Sequence, residues 1–303
     1  MTYLSTQEVA RMIAVTETTV KRWADEGKIP CHKTLGRHRK FLLKDILAFA
    51  EHHAYPLTGG SAPPLSKRQA EILEFSVQTR NYHKIAQLFY DEALQGDKQG
   101  LYELLSYLTK NRIAFATLAD EVIRPAMVHI GERWEEGTLE VHQEHLASNA
   151  LLEALIRLNS QLHRKPDNGL SAVCACAEGD HHEIGLRMLG YALEAEGWSV
   201  HHLGANTPFD TLGSFIRQRK PELVCISATI LNGNKKTLQG LRRIGVTAKS
   251  QRAVCLVGGL FLGKYSNADL NCDFISASVG DALDFVNDRF DLKVAPRKSR
   301  ERA

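Results

Sequence analysis

The stretch Glu178-Gly-Asp180-His-His182-Glu-Ile-Gly185 holds the residues whose types and spacing best suit chemistry. An acid stands two positions before a histidine, and a glycine follows three positions after it. In that order the carboxylate can accept a hydrogen bond from one imidazole nitrogen and leave the other to bind a metal. Gly185 would let a bulky group approach the backbone at a helix start. The same letters also describe a polar loop with an incidental histidine, and the loop alone does not separate the two readings. A second cluster spans Trp134-Glu135-Glu-Gly-Thr-Leu-Glu-Val-His142-Gln-Glu144-His145. It can bring an aromatic plane, an acid and an imidazole to one end of a helical bundle, or serve only as helix-end packing beside a surface histidine. A hydroxyl pair, Ser227 and Thr229, and a double glycine, Gly258-Gly259, suit a long ligand lying across a sheet edge.

These residues need elements to hold them. The apolar run Ser171–Ala177 precedes the loop, and a helical pattern starting at Leu186 follows it, which places the loop at the carboxyl end of a strand. Strand-like runs recur at Ala172–Ala177, Ser199–Leu203, Leu223–Ser227, Ala253–Val257 and Phe274–Ser276, separated by helical runs. This alternation predicts an α/β doubly wound, flavodoxin-like Rossmann domain over residues 169–293. It has neither a G-x-G-x-x-G nor a G-x-x-x-x-G-K-[ST] motif, so dinucleotide and nucleoside-triphosphate binding are disfavoured. Four helical patterns, Tyr82–Leu94, Gln99–Leu108, Ile113–Glu136 and Leu139–Leu162, predict a four-helix bundle within residues 71–168.

Residues 1–55 read as a small basic head. Ser5-Thr-Gln-Glu8 is a capping-box pattern, and Val9, Met12 and Ile13 follow at helical spacing. Thr16 can cap a second helix with Val20 and Trp23 facing in and Thr18, Thr19, Lys21 and Arg22 facing out; Gly27 ends it. Two short helices about the turn Ala14-Val15 make a helix-turn-helix, whose second helix can enter a major groove. Lys33 to Phe41, with Gly36, Arg37, His38, Arg39 and Lys40 at its tip, reads as a two-stranded wing, and Leu43 to Phe49 as a third helix. From Lys21 to Lys44 there are eight basic residues against Asp25 and Glu26, while the whole chain nets +3. Such a stripe suits phosphate contacts with double-stranded DNA, although a solvated basic face has the same composition.

The composition is that of a soluble globular protein, 44% hydrophobic and 24% charged over 303 residues, enough for two or three domains. No apolar run reaches membrane length and the first residues lack signal-peptide character, which predicts a cytoplasmic chain that does not enter a membrane. Six scattered cysteines read as buried thiols of a reducing compartment, and Cys174-Ala-Cys176 has the wrong spacing for a redox pair. Residues 56–70, rich in Pro, Gly and Ser, read as a flexible linker, and residues 294–303 as a basic tail.

The head resembles the winged helix-turn-helix domain of the MerR and excisionase superfamily, whose wing signature is matched by Gly-Arg-His-Arg-Lys-Phe. Asp180-x-His182-x-x-Gly185, with Ser227-x-Thr229 and Gly258-Gly259, resembles the cobalamin-binding Rossmann domains of the methionine-synthase type, in which Thr229 replaces the usual leucine. The wider form starting at Glu178, with Trp134, Glu144 and His145, resembles the CarH/LitR photoreceptor regulators across all three segments. The resemblance implies cobalamin held by His182 as the lower axial ligand to cobalt, with Asp180 as its hydrogen-bond partner. The nucleotide tail would lie near Ser227, Thr229 and Gly258-Gly259. Trp134 would lie over the upper ligand, and Glu144 and His145 would line an adenosyl pocket. It also implies a transcriptional repressor, not an enzyme, that assembles as a dimer or tetramer on operator DNA with adenosylcobalamin and falls apart in light. In that family a histidine follows the tryptophan and captures cobalt after photolysis. Here Glu135 takes its place, leaving water or His142 as the substitute.

Two other readings remain. A corrinoid methyl-carrier shares the bundle-plus-Rossmann body but has no use for a basic head. A regulator whose body senses another chromophore, or only mediates assembly, does not need the Asp180–His182 pair.

Overall fold

The computed structural model describes residues 3–13, 15–33, 38–53, 65–229, 235–260, 262 and 265–292. The expected wing tip at Gly36 and Arg37, most of the expected linker and the basic tail lie outside them.

In the head, β1 (Tyr3–Ser5) leads into α1 (Thr6–Met12) and α2 (Glu17–Asp25). β2 (His32–Lys33), β3 (Arg39–Leu42) and α3 (Leu43–His52) follow. Thr16 caps α2 by accepting from the Thr19 amide, and Gly27, with φ +71°, takes the chain out of it. Val20 and Trp23 are buried with Val9, Ile13, Ile29, Phe41 and Ile46. The wing is a three-stranded antiparallel sheet, β1-β3-β2, because Tyr3–Ser5 pairs with Lys40–Leu42. Ser5, read as part of a capping box, is thus the last residue of a strand.

The helical body begins earlier than the sequence suggests. Ser66 and Gln69 form a capping box on α4 (Lys67–Gln78), so this helix starts inside the segment expected to be linker. α5 (Tyr82–Gln95), α6 (Lys98–Lys110) and α9 (Val141–Asn159) match three of the expected helices. The expected helix Ile113–Glu136 is instead α7 (Phe115–Leu118), a π turn (Ala119–Ile123) and α8 (Arg124–Glu135). Pro125 has no N–H to return to the preceding turn and its ring crowds that turn, which a wider turn relieves. Leu101, Leu104, Leu105 and Leu108 of α6 are fully buried with Phe89, Leu118, Ile123, Leu151 and Leu155. Each such side chain stabilises the fold by about 1.5–3 kcal/mol relative to exposure.

The third unit alternates β4 (Ser171–Cys176), α10 (Ile184–Ala195), β5 (Ser199–Gly204), α11 (Phe209–Arg219) and β6 (Leu223–Ser227). It continues with α12 (Lys235–Ser250), β7 (Val254–Gly258), α13 (Asn267–Leu270), β8 (Phe274–Ser276) and α14 (Val279–Arg289). The sheet is parallel in the order β5-β4-β6-β7-β8, the flavodoxin-like order. β6 is buried along its whole length, as a strand covered on both faces must be. Cys174, Cys176, Cys225, Cys255 and Cys272 are buried free thiols. Burial pushes Cys176 up to about 12 and Cys272 up to about 11. Met188, Tyr191 and Ala192 of α10 and Val279 of α14 belong to the bundle's own core, so bundle and sheet share packing. Among the described residues, no helix is long and apolar enough to cross a membrane.

Candidate cofactor site and nucleic-acid face

In a sheet of this order, adjacent strands β4 and β6 send their connections to opposite faces, and the crevice opens at their carboxyl ends. The Asp180 loop leaves β4 at this point. The Ala177 amide donates to the Ser227 carbonyl at 2.8 Å, and the Thr207 amide to the Cys176 carbonyl at 3.1 Å. Gly179, at φ +87°, turns the chain and its amide donates to the Asn206 side chain at 2.8 Å. The Asn206 amide in turn reaches the Asp180 carbonyl at 2.7 Å. Asn206 was missed as a site residue. Its signal was modest: an asparagine in a strand-end loop, a type that tolerates the positive φ of 47° found here.

Asp180 is 1% exposed and both its oxygens are used. Oδ1 accepts from the His182 amide and from His182 Nδ1, each at 2.9 Å, while Oδ2 accepts from the Thr229 amide at 2.5 Å. Burial pushes the Asp180 carboxyl up, but donation from the His182 ring, the His182 amide and the Thr229 amide together holds it below its ordinary value. One carboxylate therefore spans the crevice from the β4 loop to the end of β6 and fixes the His182 tautomer. His182 remains 52% exposed in its side chain. The hydrogen bond to Asp180 raises its pKa against the opposing effect of burial, and the charges of Asp180 and Glu144 add to the rise. Glu144 belongs to α9, so the helical motif and the loop motif meet electrostatically across the site.

Two glycines set how the backbone lies around this pair. A Cβ built on Gly185 would meet nothing within 4 Å, so the α10 start faces open space. Gly259 has φ +127° and a Cβ there would lie 2.2 Å from the Ala228 carbonyl, so only glycine closes the backbone onto the end of β6. Ser227 is buried, and it pairs with Gly258 in the β6–β7 register. Glu178 accepts from Lys236 Nζ at 2.8 Å and from the Phe209 amide at 3.4 Å, tying the loop to the first turns of α12 and α11. The Lys236 hydrogen bond is the main reason its carboxyl lies below the ordinary value. Lys236 was not among the expected site residues.

On the bundle side, Trp134 stands 41% exposed near the end of α8, and Gly137 at φ +71° breaks the helix after it. Glu144 is held by the Ser148 hydroxyl at 2.6 Å and by His145 Nδ1. Glu135 and His142 are exposed, and His142 Nδ1 lies 3.1 Å from Glu140.

In the head, Thr18, Lys21, Arg22 and His38 are exposed, and Thr19 and Lys40 half-buried. Lys21, His38, Arg39 and Lys40 line an open cavity of about 540 Å³ between α2, β3 and the start of α1. Much of the basic stripe is paired: Lys21 with Glu17 at 3.4 Å, Arg22 with Glu26 at 3.9 Å, Lys28 with Glu26 at 2.8 Å. Arg39 is 21% exposed in its side chain and lies 2.6 Å from Asp25, which turns it inward. The Thr19 and Thr16 hydroxyls share a hydrogen bond at 2.9 Å. Arg37 falls outside the described residues.

Residues 3–54 match a helix-turn-helix domain model, residues 85–159 one B12 binding domain model and residues 170–282 another. The HTH-type transcriptional repressor CarH of Myxococcus xanthus is 34% identical over 150 residues, 45% of this chain and 49% of that protein. The chain thus spans about half the length of that relative. The repressor CarA of the same organism is 26% identical over 239 residues, 74% of this chain and 76% of that protein. The monomethylamine corrinoid protein of Methanosarcina barkeri shares the fold at TM-score 0.58 and 17% identity, covering 68% of this chain and 99% of that one.

Proposed function

We infer that this chain, with a helix-turn-helix head on a two-part B12-binding body, is a DNA-binding repressor of the CarH type whose self-association is set by bound cobalamin. The observation that carries this reading is the Asp180–His182 pair, spanning the crevice by way of the Thr229 amide and facing Glu144 of the bundle. A methyl-carrier would share that pair, but the helix-turn-helix head has no place in one.

Adenosylcobalamin, when bound, supplies a light-sensitive cobalt–carbon bond. Asp180 holds the Nδ1 proton of His182, so Nε2 would be the atom offered to cobalt. Ser227, Thr229, Gly258 and Gly259 would form one wall, for the nucleotide tail. Trp134, Glu144 and His145 would form the facing wall, with Glu135 and His142 at its rim. An occupant between the two walls favours one position of the bundle, and its removal withdraws that preference; assembly follows if the self-association surface differs between the positions. Several heads on one assembly bind DNA far more tightly than one head alone, by effective concentration. The operator contacts are assigned to Thr18, Thr19, Lys21, Arg22, Arg37, His38 and Lys40, with Arg39 behind them. The assembly is a dimer or tetramer.

The test adds adenosylcobalamin to the full chain in the dark and records visible absorbance, hydrodynamic size and DNA retention before and after illumination. Retained cofactor, with a larger particle and DNA retention that both reverse in light, is the expected result. Failure to retain the cofactor overturns the reading, and retention without a light response removes the photoreceptor part alone.

A further inference from the structure

The bundle and the sheet domain share more than a core. Asp120, in the π turn, aims both carboxylate oxygens at the start of α14: Oδ1 accepts from the Val279 amide at 2.8 Å and Oδ2 from the Gly280 amide at 2.7 Å. Four residues on, Arg124 Nη1 donates to the Ala277 carbonyl at 3.0 Å. An anion on a helix N-terminus and a cation on the strand-end carbonyl before it are each placed with the local dipoles. Ser278 already caps α14 from within through the Asp281 amide, so Asp120 fills two further positions that the helix cannot fill itself. A Cβ on Gly280 would lie 3.0 Å from Asp120 Oδ2, so glycine there leaves room for the carboxylate.

We propose that Asp120 and Arg124 are positioning residues: a clamp that registers the bundle on the β8–α14 edge and, through α8, sets where the exposed Trp134 stands. The π turn holds Asp120 and passes directly into Arg124, the first residue of α8. α8 then runs as one continuous helix from Arg124 to the end that carries Trp134. Ten residues of helix span about 15 Å, so a tilt of about 10° at the clamp becomes a displacement of roughly 2–3 Å at the tryptophan. The proposal rests on the cofactor reading for its consequence, but not for its geometry. An occupant between bundle and sheet is linked to the clamp reciprocally: loosening the clamp weakens the occupant, and the occupant tightens the clamp.

The amides of Val279 and Gly280 have no intrahelical acceptor, so their hydrogen exchange reports on Asp120 and on little else. The test measures this exchange, together with the affinity for cobalamin, in the full chain as wild type, Asp120→Ala and Asp120→Asn. In Asp120→Ala both amides should exchange about tenfold faster or more, and cobalamin affinity should fall by about a factor of ten, as expected for two lost charge-assisted bonds at a shared interface. The absorbance spectrum of what remains bound should stay that of wild type, because His182 is untouched. Asp120→Asn keeps one acceptor and should fall between the two. Cobalamin should also slow exchange at both amides in wild type. Unchanged exchange in Asp120→Ala overturns the clamp, and faster exchange with unchanged cobalamin affinity overturns its positioning role. If wild type retains no cobalamin, the cofactor reading fails and the positioning role fails with it, while the exchange data still decide the contact itself.

Discussion

Arg39 Nη2 lies 2.6 Å from Asp25 Oδ1, joining the wing strand β3 to the last residue of α2. An arginine that composition assigns to DNA is thereby committed to holding the wing against the recognition helix. Removing either partner should weaken DNA binding by a similar factor, and removing both should cost no more than one, because the two side chains act as a unit. The dependence of log affinity on log salt should stay as in wild type for Arg39→Ala and Asp25→Ala. For Lys40→Ala or Arg37→Ala it should become shallower by roughly 1 per lost phosphate contact. Binding to a mixed-sequence duplex across a salt series reads both. A shallower slope for Arg39→Ala, with Asp25→Ala neutral, would return Arg39 to the phosphates.

Asp180 serves two elements and His182 one, so their loss should differ. His182→Ala removes the axial donor, and the bound cofactor should then show the spectrum of cobalamin carrying its own base, with the apo-protein's stability near wild type. Asp180→Ala also strips the Thr229 amide of its acceptor, and an unsatisfied buried group costs about 1–3 kcal/mol. It should lower the apo-protein's unfolding midpoint and reduce cobalamin affinity by roughly 10–100-fold, as loss of a ligand's orienting partner does. Chemical denaturation and cofactor titration separate the two. An unaltered spectrum in His182→Ala would remove it as the ligand.

What the sequence shows and what it hides follows from the range of the forces involved. Leu223–Ser227 is legible to the residue because a buried parallel strand is a short apolar run, and the half-buried edge strand Phe274–Ser276 is legible from its aromatic and β-branched residues. The Asp180–His182 contact is legible because two residues of separation bring side chains together in a loop. α4 is hidden, since the Pro- and Gly-rich stretch before it makes Ser66 look like the end of a linker. β1 exists only through its pairing with β3, and three residues carry no period of their own. The π turn keeps helical periodicity on both sides, so Pro125 is its only local mark. Asp120 and Val279 lie far apart in the chain, and neither has a pattern that names the other. Charge counting found the basic head but could not see that Arg39 had already been claimed by Asp25.

A different polar junction ties the end of the bundle to the sheet. Glu194 of α10 accepts from Asn159 at 2.8 Å and Arg164 at 2.9 Å on the bundle side, and from His202 of β5 at 3.3 Å. Burial pushes its carboxyl up, but donation from His202 and Asn159 and the charges of His202 and Arg164 hold it below the ordinary value. A carboxyl depressed in the folded state adds stability above its unfolded pKa of roughly 4.3, and that stability is lost as pH falls through the folded value. Glu194→Gln should therefore be less stable than wild type at pH 7, with the gap closing as the pH falls below about 4. Urea midpoints for both proteins across that range check it, and a gap that does not change with pH would mean that the charge of Glu194 is not what matters.

Glu135 occupies the position after Trp134 where the resembled family carries a histidine, and it stands exposed at the last turn of α8. A carboxylate is a poor nitrogen-donor substitute, and the nearest alternative, His142, is paired with Glu140 at 3.1 Å. After illumination of the adenosylcobalamin-loaded chain, wild type should give the absorbance of a cobalamin with His182 below and water above. Glu135→His should convert this to the spectrum of two imidazoles, because the resembled family carries its cobalt-capturing histidine at that position. It should also slow exchange of the photolysed cofactor for fresh adenosylcobalamin at least several-fold, since two protein ligands then hold cobalt in place of one. His142→Ala on the wild-type background should change neither the spectrum nor the rate. If wild type already shows the two-imidazole spectrum and His142→Ala abolishes it, the upper ligand is His142, and Glu135 has only made room for it.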